Sequence, residues 1–348
     1  MKKVVVMLIA FILMMSTFCL ADEAVTYVKT INCTPVYKGV DFSFDAPGHE
    51  MIIVTYKSSQ ESGQFLLAGN DGSFTGHLSM PMTYSGSNVY ITLTSMNGRV
   101  LNEKYNTRTL VPEPEAGPRQ EGRLSGITVC IDPGHSANCP SGSEPVGPGL
   151  EGRKALETGM AQGIQTRRME SVVNLEIAFV LRDVLLAQGA NVVMTRTTES
   201  ASLSNLDRCA IAEEGGADIM LRLHCNLTEP AYTTGIQIYA PKSSDYAKAL
   251  GSTEEWNRWC DMMLNSMKDA TGCKKGGTCL TNQYTGNNWA KMPCFLVEMG
   301  YMSNPGEDML LSEPWYQQGL AEGMADGCYL ICQDRGLLNE CTVTSAQN

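Results

Sequence analysis

Hydrophobic and polar residues follow two different patterns along the chain, and the pattern changes near residue 110. Before that point, short apolar runs such as Met51–Tyr56 and Asn88–Leu93 are separated by clusters of Gly, Ser, Asn and Asp. Apolar runs of this length between turn-forming residues are typical of β-strands. We therefore predict a small all-β, sandwich-like domain over residues 22–110.

From residue 125 onward, strand-like and helix-like segments alternate. Apolar residues recur at spacings of three and four from Val173 to Val184, which predicts a helix that begins at Glu170 and ends at Gly189. Other strands are predicted at 127–131, 191–195, 218–224, 235–239 and 295–298, and other helices at 206–214, 253–270 and 315–331. Such alternation predicts an α/β domain over residues 125–334 with a largely parallel sheet.

Two short segments flank this α/β domain. Residues 111–124 are rich in proline and charge, a composition that does not build a core, and we predict a stiff spacer there. Residues 335–348 are predicted to be a C-terminal tail.

The first residues are typical of a secretory signal peptide. Lys2 and Lys3 precede the apolar run Val4–Leu20, and Ala21 offers a small residue at the cleavage position. We expect residues 1–21 to be removed and the protein to be secreted to the cell wall, with no stable membrane insertion afterwards. The alternative is an uncleaved anchor, because the apolar run is nearly long enough to span a bilayer.

Charge narrows the choice of partner. The formal net charge is −11, and loss of the two lysines of the signal segment would make it more negative still. This charge argues against nucleic acid as a partner and against simple electrostatic adhesion to an anionic surface. The oligomeric state is not indicated by any pattern in the sequence.

The 13 cysteines leave two interpretations open. Removal of Cys19 would leave an even number in an exported protein, which suggests disulfides. Cys130, Cys225 and Cys294, however, lie in apolar runs, where a free thiol is an ordinary small core residue. We expect some disulfides and some free thiols, and the sequence assigns no pairing.

The candidate chemistry lies where the predicted strands and helices begin or end. His135 and His224 each close a strand, Glu170 opens a helix, and Glu298 ends a late strand. Two imidazoles and one carboxylate form a common zinc set that leaves a fourth position for water. A second carboxylate near such a water is able to accept its proton. The set thus predicts a hydrolytic metal site at the rim of the sheet.

Each of these residues also has an ordinary structural interpretation. A single histidine at a strand end is usually hydrogen-bonded for structural reasons, and Glu170 alone would be a favourable helix-start charge. Glu298 alone would be an ion-pair partner. The two other histidines, His49 and His77, are isolated between turn residues, and we interpret both as surface residues.

Six stretches, in this order, resemble the zinc-dependent N-acetylmuramoyl-L-alanine amidases, the peptidoglycan hydrolases of bacteria. The resemblance spans 125 to about 333 and excludes the N-terminal region. The matching stretches are Ile131–His135, Glu170 with Asn174, Val193–Arg196, Arg208–Ala212, Gly216–Asp218 with Leu223–Asn226, and Val297–Asn304.

The resemblance implies both a fold and a reaction. The fold is a mixed sheet of about six strands flanked by helices. His135, Glu170 and His224 would hold Zn²⁺, and Glu298 would be the catalytic acid and base. The substrate would be peptidoglycan, cleaved at the amide between the lactyl group of N-acetylmuramic acid and the L-alanine of the stem peptide.

This chain departs from the simplest family pattern between His135 and Glu170. The intervening segment is rich in proline and glycine, and we interpret 136–169 as a loop beside the cleft that forms part of the substrate groove or a lid. Its length makes Glu157 a competitor of Glu170 as the third ligand.

Two further side chains near the predicted site are weighed separately. Cys225 follows a predicted ligand, but strand alternation directs its thiol to the opposite face, so we discount it as a ligand. The pair Asn288–Trp289 is expected to line the groove.

Two hypotheses from different classes follow. One is a secreted zinc amidase acting on peptidoglycan, and the other is a catalytically inactive wall-binding protein with the same fold. A zinc peptidase or deacetylase would use the same metal chemistry on other amides. The role of the N-terminal domain is left open, since no aromatic stripe indicates carbohydrate binding.

Overall fold

The computed structural model describes most of the chain. The described residues are 28, 31–36, 39–57, 62–79, 88–102, 105–108, 113–136, 138, 140–156, 159–229 and 231–338. The predicted signal segment 1–21, most of the predicted tail and Glu157 lie outside them. No helix in this described part is both long and apolar enough to cross a membrane.

Seven described strands before residue 110 form two antiparallel sheets, in the orders β1-β2-β5 and β4-β3-β6-β7. The strands are β1 Asn32–Val36, β2 Gly39–Asp45, β3 Met51–Lys57, β4 Ser62–Ala68, β5 Ser73–Ser79, β6 Asn88–Ser95 and β7 Tyr105–Arg108. Alternate residues of β2 are buried, with Val40, Phe42 and Phe44 inside. They share one apolar cluster with Ile52 and Ile91 of the other sheet. The predicted sandwich-like arrangement is confirmed.

The larger sheet has six strands in the order β11-β8-β12-β15-β13-β14. They are β8 Thr128–Pro133, β11 Asn191–Met194, β12 Ile219–Asn226, β13 Ile236–Ala240, β14 Lys275–Leu280 and β15 Cys294–Tyr301. Every pairing is parallel except the one between β13 and β15. The predicted α/β fold with a mixed, mostly parallel sheet is confirmed, and the C-terminal ends of β8, β12 and β15 meet at one edge.

Helices cover this sheet and complete its core. They are α1 Glu170–Ala187, α2 Asn205–Glu214, α3 Asp245–Leu250, α4 Thr253–Thr271, α5 Thr285–Trp289, α6 Pro305–Leu310 and α7 Pro314–Asp334. Helices α2 and α4 each begin after a serine, Ser204 and Ser252. The hydroxyl of each serine accepts from the backbone N–H of the third helical residue, and the carboxylate of that residue accepts from the backbone N–H of the serine. Helix α1 begins at Glu170, as predicted, so this carboxylate lies at a helix start on the site edge of the sheet.

The segment expected to be a loop between His135 and Glu170 contains a β-hairpin. Strands β9 Ser143–Gly147 and β10 Leu150–Ala155 pair antiparallel. The turn between them includes Gly149 at φ +70°, a left-handed conformation that favours glycine. The prolines and glycines that suggested an irregular loop are thus compatible with a tight turn between two short strands.

The residues predicted to be a spacer lie along helix α1. Gly117 N donates to Asp183 Oδ1, and Gln120 N donates to Leu186 O. The guanidinium of Arg182 donates to the carbonyls of Pro114 and Glu115, which lie in the predicted spacer. Residues 113–124 therefore gain backbone partners that a free spacer would leave to water.

The cysteines described between residues 125 and 338, from Cys130 to Cys332, are free thiols. Cys130, Cys225 and Cys294 are buried in apolar surroundings, which confirms them as core residues. Burial raises the pKa of each of these thiols, so they remain protonated at neutral pH. The expectation of some disulfides elsewhere stays a prediction.

Candidate metal centre

Three predicted ligands converge at the edge where the strands end. Nε2 of His135 lies 3.2 Å from Oε1 of Glu170, and Nδ1 of His224 lies 3.1 Å from the same oxygen. The three ligand atoms all lie within 4.8 Å of one another. Residues separated by up to 89 positions in the sequence thus meet at one point, because β8 and β12 are adjacent and parallel and α1 begins above them.

The backbone before His135 is shaped by close packing against His224. A Cβ atom on Gly134 would lie 2.4 Å from Cε1 of His224 and 2.6 Å from the Leu223 carbonyl oxygen. Gly134 N donates to that same carbonyl oxygen at 2.8 Å. A glycine is therefore required here, since any side chain would push the two histidines apart.

Glu170 is held as a buried anion. Its carboxylate accepts from Ala161 N at 2.8 Å and from Cys225 N at 3.1 Å. Burial acts to raise the pKa of Glu170, but hydrogen bonds from His135 and His224 outweigh it and hold the pKa well below its usual range. The carboxylate is consequently available as an anionic ligand at neutral pH.

His224 is held as a neutral imidazole. Burial lowers its pKa, and the opposing effect of Glu170 does not restore it. With Nδ1 directed at Glu170, the other ring nitrogen, Nε2, is buried and has no hydrogen-bond partner among the described residues. A metal is bound by the neutral form of imidazole.

The donor set fits a zinc ion. In a tetrahedral zinc site with bonds of about 2.0–2.1 Å, neighbouring ligand atoms lie about 3.3–3.4 Å apart. The separations of 3.1 and 3.2 Å from the Glu170 oxygen to the two imidazole nitrogens are close to that spacing. Cys225 is not part of the group; its thiol contacts Asn174 Oδ1, as alternation along β12 predicts.

Glu298 stands beside this group on the neighbouring strand. It is the register partner of His224 between β12 and β15. Its Oε2 atom is buried and has no hydrogen-bond partner among the described residues. Burial, together with the charge of Glu170, raises the pKa of Glu298 to about 8, although His135 acts in the opposite direction. A carboxyl group with such a pKa exchanges its proton near neutral pH.

A cavity of about 490 Å³ opens onto these four side chains. The hairpin and the segment after it form one wall through Lys154, Leu156 and Met160, and Asn205 and Tyr284 line other parts. The hypothesis that residues 136–169 border a groove is therefore supported by their position.

Asn288 and Trp289 do not line this cavity, contrary to the prediction. Asn288 is fully buried and donates to Val146 O at 3.0 Å, and Trp289 Nε1 donates to Pro145 O at 2.8 Å. They bind the backbone of β9 and so hold the hairpin in place. The prediction rested only on the position of Asn288 and Trp289 in the sequence before Pro293. In the structure, both side chains turn inward and donate to carbonyls of the hairpin.

Sequence reasoning missed a buried charge cluster below the site. Asp132 is fully buried and accepts from Arg208 Nη1 at 2.6 Å and from Arg222 Nε at 2.8 Å. Burial acts to raise the pKa of Asp132, but the two guanidinium groups outweigh it and hold the pKa far below its usual range. The available signal was Arg222 itself, a charge inside the otherwise apolar strand β12.

Comparison with known proteins identifies the family of the α/β part of the chain. A family model described as N-acetylmuramoyl-L-alanine amidase matches residues 129–329. The protein named "Probable cell wall amidase LytH" of Staphylococcus aureus is 26% identical over 216 residues. That alignment covers 60% of this chain and 60% of the relative, so the match spans less than two thirds of the relative's length.

Solved structures share the fold. The N-acetylmuramyl-L-alanine amidase Ami1 of Mycobacterium smegmatis aligns with a TM-score of 0.54 at 20% identity, covering 61% of this chain and 99% of that one. Ami1 of Mycobacterium abscessus in its apo form aligns with a TM-score of 0.53 at 22% identity, covering 60% and 100%. At these identities the likeness shows the fold alone.

Proposed function

Because the chain belongs to the N-acetylmuramoyl-L-alanine amidase family, we propose that it hydrolyses the amide between N-acetylmuramic acid and the L-alanine of the stem peptide in bacterial peptidoglycan. We assign the reaction to residues 125–334. The observation that carries the proposal is the convergence of His135, Glu170 and His224 beside Glu298. One carboxylate oxygen of Glu298 is buried and has no hydrogen-bond partner in the part of the chain that the structure describes.

In this proposal, His135, Glu170 and His224 hold one zinc ion. When bound, zinc supplies Lewis-acid activation of the scissile carbonyl and of the attacking water. The anionic Glu170 and the neutral His224 are already in the protonation states that metal ligands need.

Glu298 moves the proton in this reaction. Its carboxylate takes a proton from water as the oxygen–carbon bond forms at the lactyl carbonyl. The same carboxyl group then delivers that proton to the alanine nitrogen as the carbon–nitrogen bond breaks, which leaves a carboxylic acid on the lactyl group and a free amine on alanine. The acid loses its remaining proton to solvent. The raised pKa of Glu298, about 8, suits a group that must accept and return one proton near neutral pH.

The cavity is lined by the four reactive side chains and by residues of the hairpin strand β10. Lys154 of β10 brings a cation to one wall, and its ammonium group donates to the Gln283 carbonyl. A wall with a cation suits the carboxylates of a peptidoglycan stem peptide.

Product analysis on purified peptidoglycan tests the proposal. An amidase releases peptides with free amino-terminal L-alanine and creates no new reducing sugar ends. Chelation should remove this activity, and added zinc should restore it. New amino termini other than L-alanine would indicate a peptidase, and released acetate a deacetylase. A protein that cosediments with the wall and releases nothing would be a binding protein, and the amidase proposal would be wrong.

We propose further that the protein acts outside the cell, with residues 1–21 removed on export. The support is the pattern of two lysines, an apolar run and Ala21, together with the cell-wall substrate. Sequencing the amino terminus of protein recovered from the culture medium tests this. A first residue of Asp22 is expected, whereas retention of Met1 in a membrane fraction would indicate an anchor.

A further inference from the structure

The loop that carries His135 is held by its carbonyl oxygens. Three consecutive carbonyls, those of residues 133 to 135, each accept from a buried side chain. The Pro133 carbonyl accepts from Arg196 Nε and from Arg208 Nη1, both at 2.9 Å. The His135 carbonyl accepts from Arg208 Nη2 at 3.1 Å. The Arg208 guanidinium therefore donates to the carbonyls on both sides of Gly134, those of Pro133 and His135.

The carbonyl between these two is held as well. Gly134 O accepts from Arg196 Nη2 at 2.9 Å and from Asn174 Nδ2 at 3.3 Å. Arg196 Nη2 also donates to Ser171 O, in the first turn of the helix that Glu170 opens. Arg196 thus ties the loop of one ligand to the helix of another.

Both arginines are themselves fixed by buried acids. Arg208 is paired with Asp132, and Arg196 Nη1 donates to Glu199 Oε1 at 3.0 Å. The two arginines are 4% and 3% exposed. A planar guanidinium with several donors in fixed directions is able to hold several acceptors at once, which an ammonium group cannot do.

The loop needs such support because of the conformation of His135. Its φ of +58° lies in the left-handed region, which is unfavourable for a residue with a side chain. His135 is one of three non-glycine residues with positive φ in the described chain. Unfavourable conformations of this kind persist only where the surroundings determine them.

We propose that Arg196 and Arg208 are positioning residues that hold His135 in its left-handed conformation and thereby set the metal affinity of the site. The inference rests on the proposed function, because it concerns the same zinc. It assigns to the two arginines no contact with the metal. Their effect is transmitted through the carbonyls of residues 133 to 135.

Lysine substitutions test the inference, since they keep the charge that pairs with the buried acids but remove the fork. Arg208→Lys and Arg196→Lys should each raise the dissociation constant for zinc, measured by competition with a chromogenic chelator, by about 10- to 100-fold. The visible absorption of the cobalt(II)-loaded protein should also change, because His135 would no longer be held at a fixed angle.

Arg182→Lys is the matched control. Arg182 is also buried and also donates to two consecutive carbonyls, but these belong to the segment along the far end of α1. Its replacement should lower the thermal midpoint of the metal-free protein while the zinc dissociation constant changes by less than about twofold. The metal-free midpoints of all three variants separate general destabilisation from loss of affinity.

The possible results lead to distinct conclusions. If both variants of the loop arginines bind zinc as tightly as Arg182→Lys, the inference is overturned while the proposed function stands. If the unaltered protein binds no zinc, the proposed function fails and takes the inference with it. Should Arg208→Lys not fold, Arg196→Lys decides alone. Arg196 pairs with Glu199, whereas Arg208 pairs with Asp132, the aspartate of β8 that also binds Arg222 of β12.

Discussion

The two cores of this chain are built from different kinds of residue. The core of the N-terminal sandwich is a single apolar cluster, and the buried polar side chains described beside it, Ser95 and Asn102, are both neutral. The larger sheet has an apolar core of the same kind but buries charges at the edge where its strands end. These charges include Asp132, Glu170, Arg196, Arg208, Arg222 and Glu298.

The difference in buried charge between the two cores marks the edge of the sheet where the reaction is proposed. A buried charge costs free energy unless it is paired and hydrogen-bonded, so an edge rich in buried charges is not explained by stability. Most of these charges are paired, but one oxygen of Glu298 and one nitrogen of His224 have no partner in the described residues. Two of the unsatisfied buried atoms therefore lie where the reaction is proposed, while others, such as Glu176 Oε1 and Asn288 Oδ1, lie elsewhere in the described residues.

The largest effect is expected at Glu298. Glu298→Gln keeps the shape of the side chain but removes the proton acceptor, so kcat should fall by about 10²- to 10⁴-fold while zinc stays bound. The acidic limb of the pH–rate profile that reports this carboxyl group should also disappear. Steady-state kinetics on soluble muropeptides measure both quantities.

Glu307→Gln is the control for this substitution. Glu307 is another buried carboxylate near the end of β15, where it accepts from Gly235 N at 2.7 Å and Tyr301 N at 2.8 Å. Its loss should lower stability with little change in kcat. Equal losses of kcat in the two variants would contradict the assignment of Glu298 as the proton carrier.

Asp132→Asn should cause the largest loss of stability. The substitution leaves two buried guanidinium groups without their anion, which is expected to cost about 3–5 kcal/mol in the free energy of unfolding. Asp326→Asn breaks the exposed pair with Arg123 and should cost about 0–1 kcal/mol. Urea unfolding at neutral pH measures both, and similar values would show that burial does not distinguish the two pairs.

The same aspartate predicts how stability depends on pH. Because the folded-state pKa of Asp132 is held far below the unfolded value of about 3.9, its contribution is fully present above that value. The contribution is lost as the pH falls below about 4 toward the folded-state pKa. The unaltered protein should therefore lose stability in acid more steeply than Asp132→Asn, and parallel acid limbs would contradict this.

Matched core truncations sharpen the comparison of the two cores. Ile91→Ala in the sandwich and Leu221→Ala in β12 remove side chains that are both fully buried, and each should cost about 2–5 kcal/mol. We propose that the sandwich and residues 125–334 unfold as separate units. Ile91→Ala should then lower one calorimetric transition and leave zinc affinity unchanged, whereas a single transition shifted equally by both would argue against separate units.

A smaller effect is expected where the hairpin is anchored. Trp289→Phe removes one hydrogen bond to Pro145 O, worth about 0.5–1.5 kcal/mol, and should raise KM because the hairpin borders the groove. Trp259→Phe, on helix α4, is the control, because it removes an indole hydrogen bond of the same length, from Trp259 Nε1 to Asp334 Oδ2 on α7. This control should lower stability without changing KM. An equal rise of KM in both variants would show that the effect on KM is not specific to the hairpin.

Much of this architecture could be predicted from the sequence because it follows from periodicity and from strand ends. Helix α1 was predicted from Glu170 onward, and the two histidines were placed at strand ends, so their meeting follows once β8 and β12 are adjacent. The hairpin could not be predicted in the same way. Its strands are short and contain proline and glycine, and they are held by contacts from Trp289, far away in sequence.

The charge cluster shows a different limit. Arg222 in an apolar strand signals a buried partner, but the partner becomes identifiable only when Asp132 is placed beside it on the adjacent strand. Likewise, the left-handed conformation of His135 has no sequence signature apart from the preceding glycine. Features that depend on tertiary partners were therefore the ones that sequence reasoning missed.

Zinc stoichiometry measured by elemental analysis after dialysis is the most direct test of the central claim. The unaltered protein and His77→Ala, which alters an exposed histidine of the sandwich, should retain about one zinc per chain, the loading of a single three-ligand site. His135→Ala should retain almost none. Equal zinc in His135→Ala and His77→Ala, or none in the unaltered protein, would contradict a metal centre built from His135, Glu170 and His224.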